Sequence, residues 1–212
     1  MIRNWSHLPV TEQLNVSTHA MGLILALIGT PLLLVEASAI DDGVVFWCLF
    51  VFIIGMVGMY FSSTIYHLAL NPDFKKTLRK VDHIAIFGLI GGTYTPFISI
   101  YYNKSMGWIF LIILWGIILI GMISKIFRVG KSKILSSVLY LMLGWMVVLI
   151  YKPMTSEMSD LVFNWLAIGG LSYTLGVFFY LWKQFKHHHA VWHLFVLGGT
   201  FSHFLSLYFS LG

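Results

Sequence analysis

His189 and His193 stand four positions apart in the stretch from Lys186 to His203, where basic and imidazole residues run into an apolar segment. At about 3.6 residues per helical turn both imidazoles leave the same face, a spacing that suits two ligands of one metal ion. The competing explanation is two polar residues that mark the interfacial end of a buried helix. Further ligands arriving at the same place would decide between the two. They would have to offer nitrogen or oxygen. The single cysteine, Cys48, sits among apolar residues, so there is neither a thiolate site nor a disulfide framework.

Composition says what kind of chain must position these side chains. Of the 212 residues, 58% are hydrophobic and 10% charged, whereas a soluble domain carries about 25% charged residues. This is the composition of a membrane protein. The net charge of +5 would point to nucleic acid only if it formed one contiguous face. Instead the lysines and arginines fall in short runs between apolar blocks, and no nucleic-acid partner is expected.

Seven apolar segments can be read, running from about Ser17 to Val35, Val44 to Tyr66, His83 to Tyr101, Gly107 to Ile123, Ile134 to Tyr151, Leu161 to Leu181 and Ala190 to Leu211. Each is near the ~20 residues needed to cross a hydrocarbon core. The links are short, with turn signals at Asn71-Pro72 and Lys152-Pro153. The expected architecture is all-α, a seven-transmembrane helix bundle making one domain over 17–212. A cytoplasmic lead-in over 1–16 lacks the basic-then-apolar order of a cleavable signal. Pro31, Pro96 and the run Gly91-Gly92-Thr93-Tyr94-Thr95-Pro96 read as packing or kink features, with Thr93 and Thr95 able to bond carbonyls that Pro96 frees.

Orientation follows from the basic residues. The N-terminal tail and the second, fourth and sixth links hold Arg3, Lys75, Lys76, Arg79, Lys80, Lys125, Arg128, Lys131, Lys133, Lys183 and Lys186, while the other links hold Lys104 and Lys152. That asymmetry predicts a cytoplasmic N-terminus and, with an odd number of spans, a C-terminus outside. Glu36, Asp41, Asp42, Glu157 and Asp160 fall on the outer side, in agreement.

Sorting polar residues by depth then moves from composition to chemistry. His67 ends the second span, Asp82 begins the third, and His189 and His193 begin the seventh, all at the cytoplasmic level. Catalytic zinc takes three protein ligands plus a water, so His67, His189 and His193 make a plausible set, with Asp82 either binding the metal or holding its water. Ser63, one turn before His67 on the same face, is placed to contact that water or a substrate carbonyl. Each has an ordinary alternative: a polar helix-end histidine, an acid favoured at a helix N-terminus, a hydroxyl bonded to its own backbone. Glu12, Asn15 and His19 share a face if the first helix begins near Thr11. Glu12 would then orient a ligand histidine from outside the coordination sphere, and Asn15 and His19 would extend the polar network. His203, ten residues past His193, lies roughly 15 Å farther along the helix and is expected to make an interhelical hydrogen bond instead. His187 and His188 are assigned to the loop.

Taken together, Glu12-x2-Asn15-x3-His19, Ser63-x3-His67, Asp82-His83 leading into Gly-Thr-Tyr-Thr-Pro, and His189-x3-His193 resemble the bacterial hemolysin III proteins. That family is related to the progestin and adiponectin receptors and, more distantly, to the alkaline ceramidases. The match extends from Glu12 through His203. The resemblance implies seven helices with the N-terminus inside, zinc held by His67, His189 and His193, and Asp82 and Ser63 next to the metal. It further implies a cell (plasma) membrane location in a bacterium.

The function expected on this basis is a zinc-dependent hydrolase of lipid amide or ester bonds contributing to membrane lipid homeostasis, with membrane lipid as both environment and substrate. Asp82 would act as base and then acid, and Ser63 would help hold the oxyanion. Two alternatives belong to other classes: a pore-forming cytolysin, and a sensor in which structural zinc clamps the second and seventh helices. A pore needs a polar stripe through a full span, and no Asp, Glu, Lys or Arg occupies the middle of any segment. A transporter is disfavoured by the lack of intramembrane charges and inverted repeats.

Overall fold

The computed structural model describes residues 5–40, 42–128 and 133–212. Arg3, Asp41 and Lys131, which entered the orientation argument, lie outside the described residues. Seven helices are long and apolar enough to cross a membrane. They are α1 (Val10–Ala39), α2 (Gly43–Leu68), α3 (Pro72–Tyr101), α4 (Ser105–Arg128), α5 (Lys133–Thr155), α6 (Asp160–Leu181) and α7 (His188–Leu211). A single 3-10 turn, Trp5–His7, precedes α1.

Several helices extend beyond their apolar segments. The third starts at Pro72 rather than near His83, because Asn71 caps it: its side chain accepts from the amides of Asp73 and Phe74, each at 3.0 Å, and Pro72 occupies the first turn. The first starts at Val10, seven residues before the apolar run at Ser17. Asp42 caps α2 by accepting from Val44 and Val45 at 2.8 and 3.2 Å. His188 opens α7 as its first residue instead of lying in the loop. His187 just before it takes a left-handed φ of 59°.

α3 runs through the centre. Residues 91–99 are buried without interruption, as a helix must be when neighbours cover every face. On one side its Leu89 and Phe97 join a core with Leu33 of α1, Phe52 and Tyr60 of α2, and Val196 and Leu207 of α7. On the other, Phe87, Tyr94 and Ile98 pack with Leu114 and Ile118 of α4 and with Leu143 and Met154 of α5. Outward faces are apolar and exposed, as at Ile112, Ile120 and Leu149, the pattern of surfaces that meet lipid.

α5 changes its hydrogen-bonding period midway, with a 3-10 stretch from Trp145 to Ile150. Tyr94 of α3 fills the break: its hydroxyl lies 3.0 and 2.7 Å from the carbonyls of Leu143 and Gly144, and accepts from the Val147 amide at 2.8 Å. Near Pro96, Thr93 donates to the Leu89 carbonyl and Thr95 to that of Gly91. A proline at 96 frees the carbonyl of Gly92, four residues back. The threonines therefore bond neighbouring carbonyls rather than the freed one, which corrects the expectation from sequence.

α2 and α3 approach so closely that a Cβ added at Gly55 would lie 2.7 Å from the Gly88 carbonyl oxygen. Glycine is required there by the backbone of the partner helix. Gly55→Val is expected to cost about 1–3 kcal/mol of stability. Gly58→Ala, where an added Cβ meets nothing within 4 Å, is expected to be neutral or slightly stabilising. Thermal unfolding of the two variants in one detergent checks the contrast.

Candidate metal centre

The alternation of the helices brings the first turns of α1, α3 and α7 to the end where α2 finishes. Glu12, Asn15, Thr18 and His19 lie on the opening turns of α1, His67 one residue before the end of α2, Asp82 in the third turn of α3, and His189 and His193 at the start of α7. One ligand atom from each of His67, His189 and His193 lies within 4.8 Å of the others. Their ring centroids are separated by 5.2 Å (67 to 189), 5.1 Å (67 to 193) and 4.5 Å (189 to 193). One side chain of α2 and two of α7, more than a hundred residues further along the sequence, thus face one point.

Hydrogen bonding on the far side of two rings decides which nitrogens face inward. Nδ1 of His67 lies 2.6 Å from Glu12 Oε2, and Oε1 of the same carboxylate accepts from Lys75 Nζ at 2.7 Å. A carboxylate only accepts, so His67 Nδ1 carries the proton and Nε2 presents its lone pair. Nδ1 of His193 lies 3.0 Å from Thr18 Oγ1. That hydroxyl gives its own hydrogen to the carbonyl of Leu14 at 3.0 Å or Asn15 at 2.9 Å, and so accepts from His193. Again Nε2 is left with a lone pair.

Both Nε2 atoms are buried and make no hydrogen bond. An orphaned buried polar atom costs about 1–3 kcal/mol, which a cation shared by the rings would offset. A set of three imidazoles, two of them with the outer nitrogen fixed by a carboxylate or a hydroxyl, fits zinc.

The other expected residues gather close by with differing contacts. Asn15 Nδ2 is 3.5 Å from His67 Nδ1, a long contact beside the much shorter bond to Glu12. His19 makes no hydrogen bond; its ring meets that of His193 edge-on, centroids 3.7 Å apart. Asp82 is buried and its carboxyl faces the Ser63 hydroxyl, outside the group formed by the three imidazoles. His203 bonds the Leu166 carbonyl of α6 at 3.2 Å, an interhelical bond remote from the cluster. Sequence reading did not single out Thr18 or the pairing of Lys75 with Glu12. Thr18 is three positions past Asn15, on the face already under consideration. Lys75 had been counted only among the topology charges.

An internal cavity of about 350 Å³ reaches this end of the bundle. His19, Asp82 and His83 line it here, while Phe97, Met154 and Phe163 line it farther along. The three clustered histidines do not themselves line this cavity; it meets their end of the bundle through His19, whose ring touches that of His193, and through Asp82.

Seven membrane-crossing helices with a three-histidine cluster at one end define the class, a multi-pass membrane protein with a candidate metal centre. The chain belongs to the haemolysin-III related family, whose model matches residues 8–204, as its motifs led us to expect. Hemolysin-3 homolog of Bacillus subtilis (strain 168) is 35% identical over 198 residues, 93% of each chain. Hemolysin-3 of Bacillus cereus is also 35% identical, over 93% of this chain and 90% of its own. Monocyte to macrophage differentiation factor of Homo sapiens is a more distant relative, 26% identical over 208 residues, which cover 92% of this chain and 82% of its own.

Two substitutions separate a direct ligand from its support. His193→Ala is expected to reduce the zinc content of purified protein to background, and full retention of metal by this variant would remove the site. Thr18→Val keeps every imidazole but takes away the acceptor that fixes His193, and is expected to weaken zinc about 10–100-fold. Elemental analysis and titration with a competing chelator measure the two effects.

Proposed function

We propose that this protein is a zinc-dependent hydrolase of lipid amide or ester bonds and adjusts the lipid composition of the membrane in which it sits. One observation carries the reading: two buried, unbonded imidazole nitrogens and a third histidine converge beside a buried acid, Asp82, that itself lines one end of an apolar cavity. His67, His189 and His193 would hold the metal. When bound, zinc supplies Lewis acidity toward a carbonyl and makes water more acidic.

The chain's own residues supply the rest. The cavity takes the hydrocarbon chain of an amphiphile and leaves its amide or ester at the polar end. Asp82 accepts a proton from the attacking water and returns it to the leaving nitrogen or oxygen as the carbonyl carbon loses that bond. Ser63 donates its one hydroxyl hydrogen to the Asp82 carboxylate while that is the base and, once Asp82 has taken the proton, turns it to the developing oxyanion. Glu12 and Thr18 hold two of the imidazoles in register, with Asn15 and His19 filling the space between α1 and the cluster.

The basic residues concentrated at the histidine end favour a cytoplasmic N-terminus and an outer C-terminus. The two Bacillus relatives favour the plasma membrane of a bacterium. We read 17–212 as one transmembrane domain with a short lead-in before it. Both relatives carry the word hemolysin in their names. A pore is nevertheless the weaker reading: among the described residues the cavity is lined by no acid or base other than Asp82 and imidazoles. A clamp between α2 and α7 uses the same three histidines without needing Asp82, so that residue discriminates.

Asp82→Asn is expected to keep its zinc and its melting temperature and to lower kcat roughly 10²–10⁴-fold, measured as fatty acid released from labelled lipid amides and esters. Zinc-replete wild-type protein that releases nothing from any such lipid would overturn the hydrolase. Melting of the bundle on zinc removal, with no turnover at any stage, would establish the clamp instead.

A further inference from the structure

A second, smaller pocket of about 70 Å³ opens next to the histidine cluster, lined by Tyr66, Arg79, Asp82, Lys133, Tyr180 and His189 among others. It differs in character from the apolar cavity. Arg79 is half-buried on α3 and lies within electrostatic range of Tyr66, Asp82 and Tyr180. Lys133, at the start of α5, holds its ammonium 5.5 Å over the Tyr180 ring and feels the charges of Arg79 and Lys183. Among the described residues neither Arg79 nor Lys133 forms an ion pair with a carboxylate, whereas Lys75, a turn away on α3, is paired with Glu12.

Two cations that face one small pocket repel each other, and the single carboxylate lining it, Asp82, cannot neutralise both. Arginine and lysine that serve only to set topology point to open solvent near the lipid surface. Here Arg79 is half-buried, and Lys133, although exposed, lines the same concavity beside the proposed reaction centre. The guanidinium fork with a nearby ammonium and two tyrosines is suited to a phosphate, whose several oxygens accept from all of them.

We infer that the pocket formed by Arg79, Lys133, Tyr66 and Tyr180 is a phosphate-binding subsite next to the histidine cluster. The phosphate it favours is that of a membrane lipid headgroup, held at the rim while the hydrocarbon part lies in the apolar cavity. The consequence for substrate choice, a phosphate-bearing lipid rather than a neutral one, rests on the hydrolase reading; the binding itself does not.

Binding of radiolabelled ether-linked dihexyl phosphatidic acid and of neutral ether-linked dihexylglycerol, which carry no acyl bond to cleave, to the detergent-solubilised full chain tests this without any turnover. The paired variant Arg79→Gln with Lys133→Gln is expected to bind the phosphatidic acid at least about tenfold more weakly, with dihexylglycerol unchanged. Lys76→Gln with Lys186→Gln, which removes two exposed cations that do not line the pocket, is expected to bind as the wild type does. Arg79→Lys with Lys133→Arg is expected to recover most of the affinity, which shows that loss in the first variant is not misfolding. Inorganic phosphate that fails to compete identifies the lipid as the source, and phosphate that competes shows that the subsite also takes the free anion; either supports it. Equal binding of phosphatidic acid by wild type and the glutamine pair, or equal weakening by the exposed control pair, would overturn the subsite. Where binding behaves as expected but no lipid is hydrolysed, the hydrolase reading fails and the subsite stands.

Discussion

A buried imidazole has two nitrogens, and in an apolar surround each needs a partner; the arrangement at the histidine end follows from that requirement. For His67 and His193 the outer partners both come from α1, Glu12 to one and Thr18 to the other. One face of a single helix therefore chooses the tautomer of rings on two other helices. With the outer nitrogens supplied, the inner ones are left facing a shared space where none of the described residues hydrogen-bonds them. A protein selected only for packing would avoid two such atoms side by side. Retaining them makes sense when something outside the polypeptide completes them.

The same economy explains why helix contacts far from the cluster matter to it. His67 is on α2 and Asp82 on α3, and their separation depends on how deeply those two helices interlock. Gly55 against Gly88, and Gly92 against the Val51 carbonyl, let the backbones touch along the interface. In lipid, contact of this kind replaces the hydrophobic drive that holds soluble helices together. On the opposite flank, Tyr94 holds the broken middle of α5 by bonding its carbonyls and amide, so the helix that bounds the apolar cavity is irregular yet satisfied.

Much of this was legible in the order of residues, for reasons that differ between fold and site. Hydropathy alone shows seven spans because each crossing must be apolar over its length, and it understates α1 and α3 because their opening turns are amphipathic and carry Glu12, Lys75 and Arg79. The three histidines were reachable by combining a four-residue spacing with depth in the membrane, and the family motifs point to the same positions. Thr18 was not reachable in this way. A threonine in a helix ordinarily bonds its own backbone, which Thr18 also does, and only the three-dimensional neighbour shows that its free lone pair is used. The break in α5 was hidden too, since an apolar sequence with one glycine carries no mark of where its hydrogen bonding will change period.

Position along the membrane normal is what unites these parts. Charged and imidazole groups are costly at mid-bilayer and tolerable near the interface, so a polar cluster in a small bundle is driven toward one end. An apolar cavity is under no such constraint and can extend inward from it. Placing one against the other produces a space whose polarity changes along its length in the same sense as that of a lipid, from head to tail. The largely apolar lining, aliphatic and aromatic, offers few groups to tell one hydrocarbon chain from another, so on the proposed reading discrimination falls to the polar rim. There His19, Asp82, Arg79 and Lys133 stand within a few helical turns of the three imidazoles.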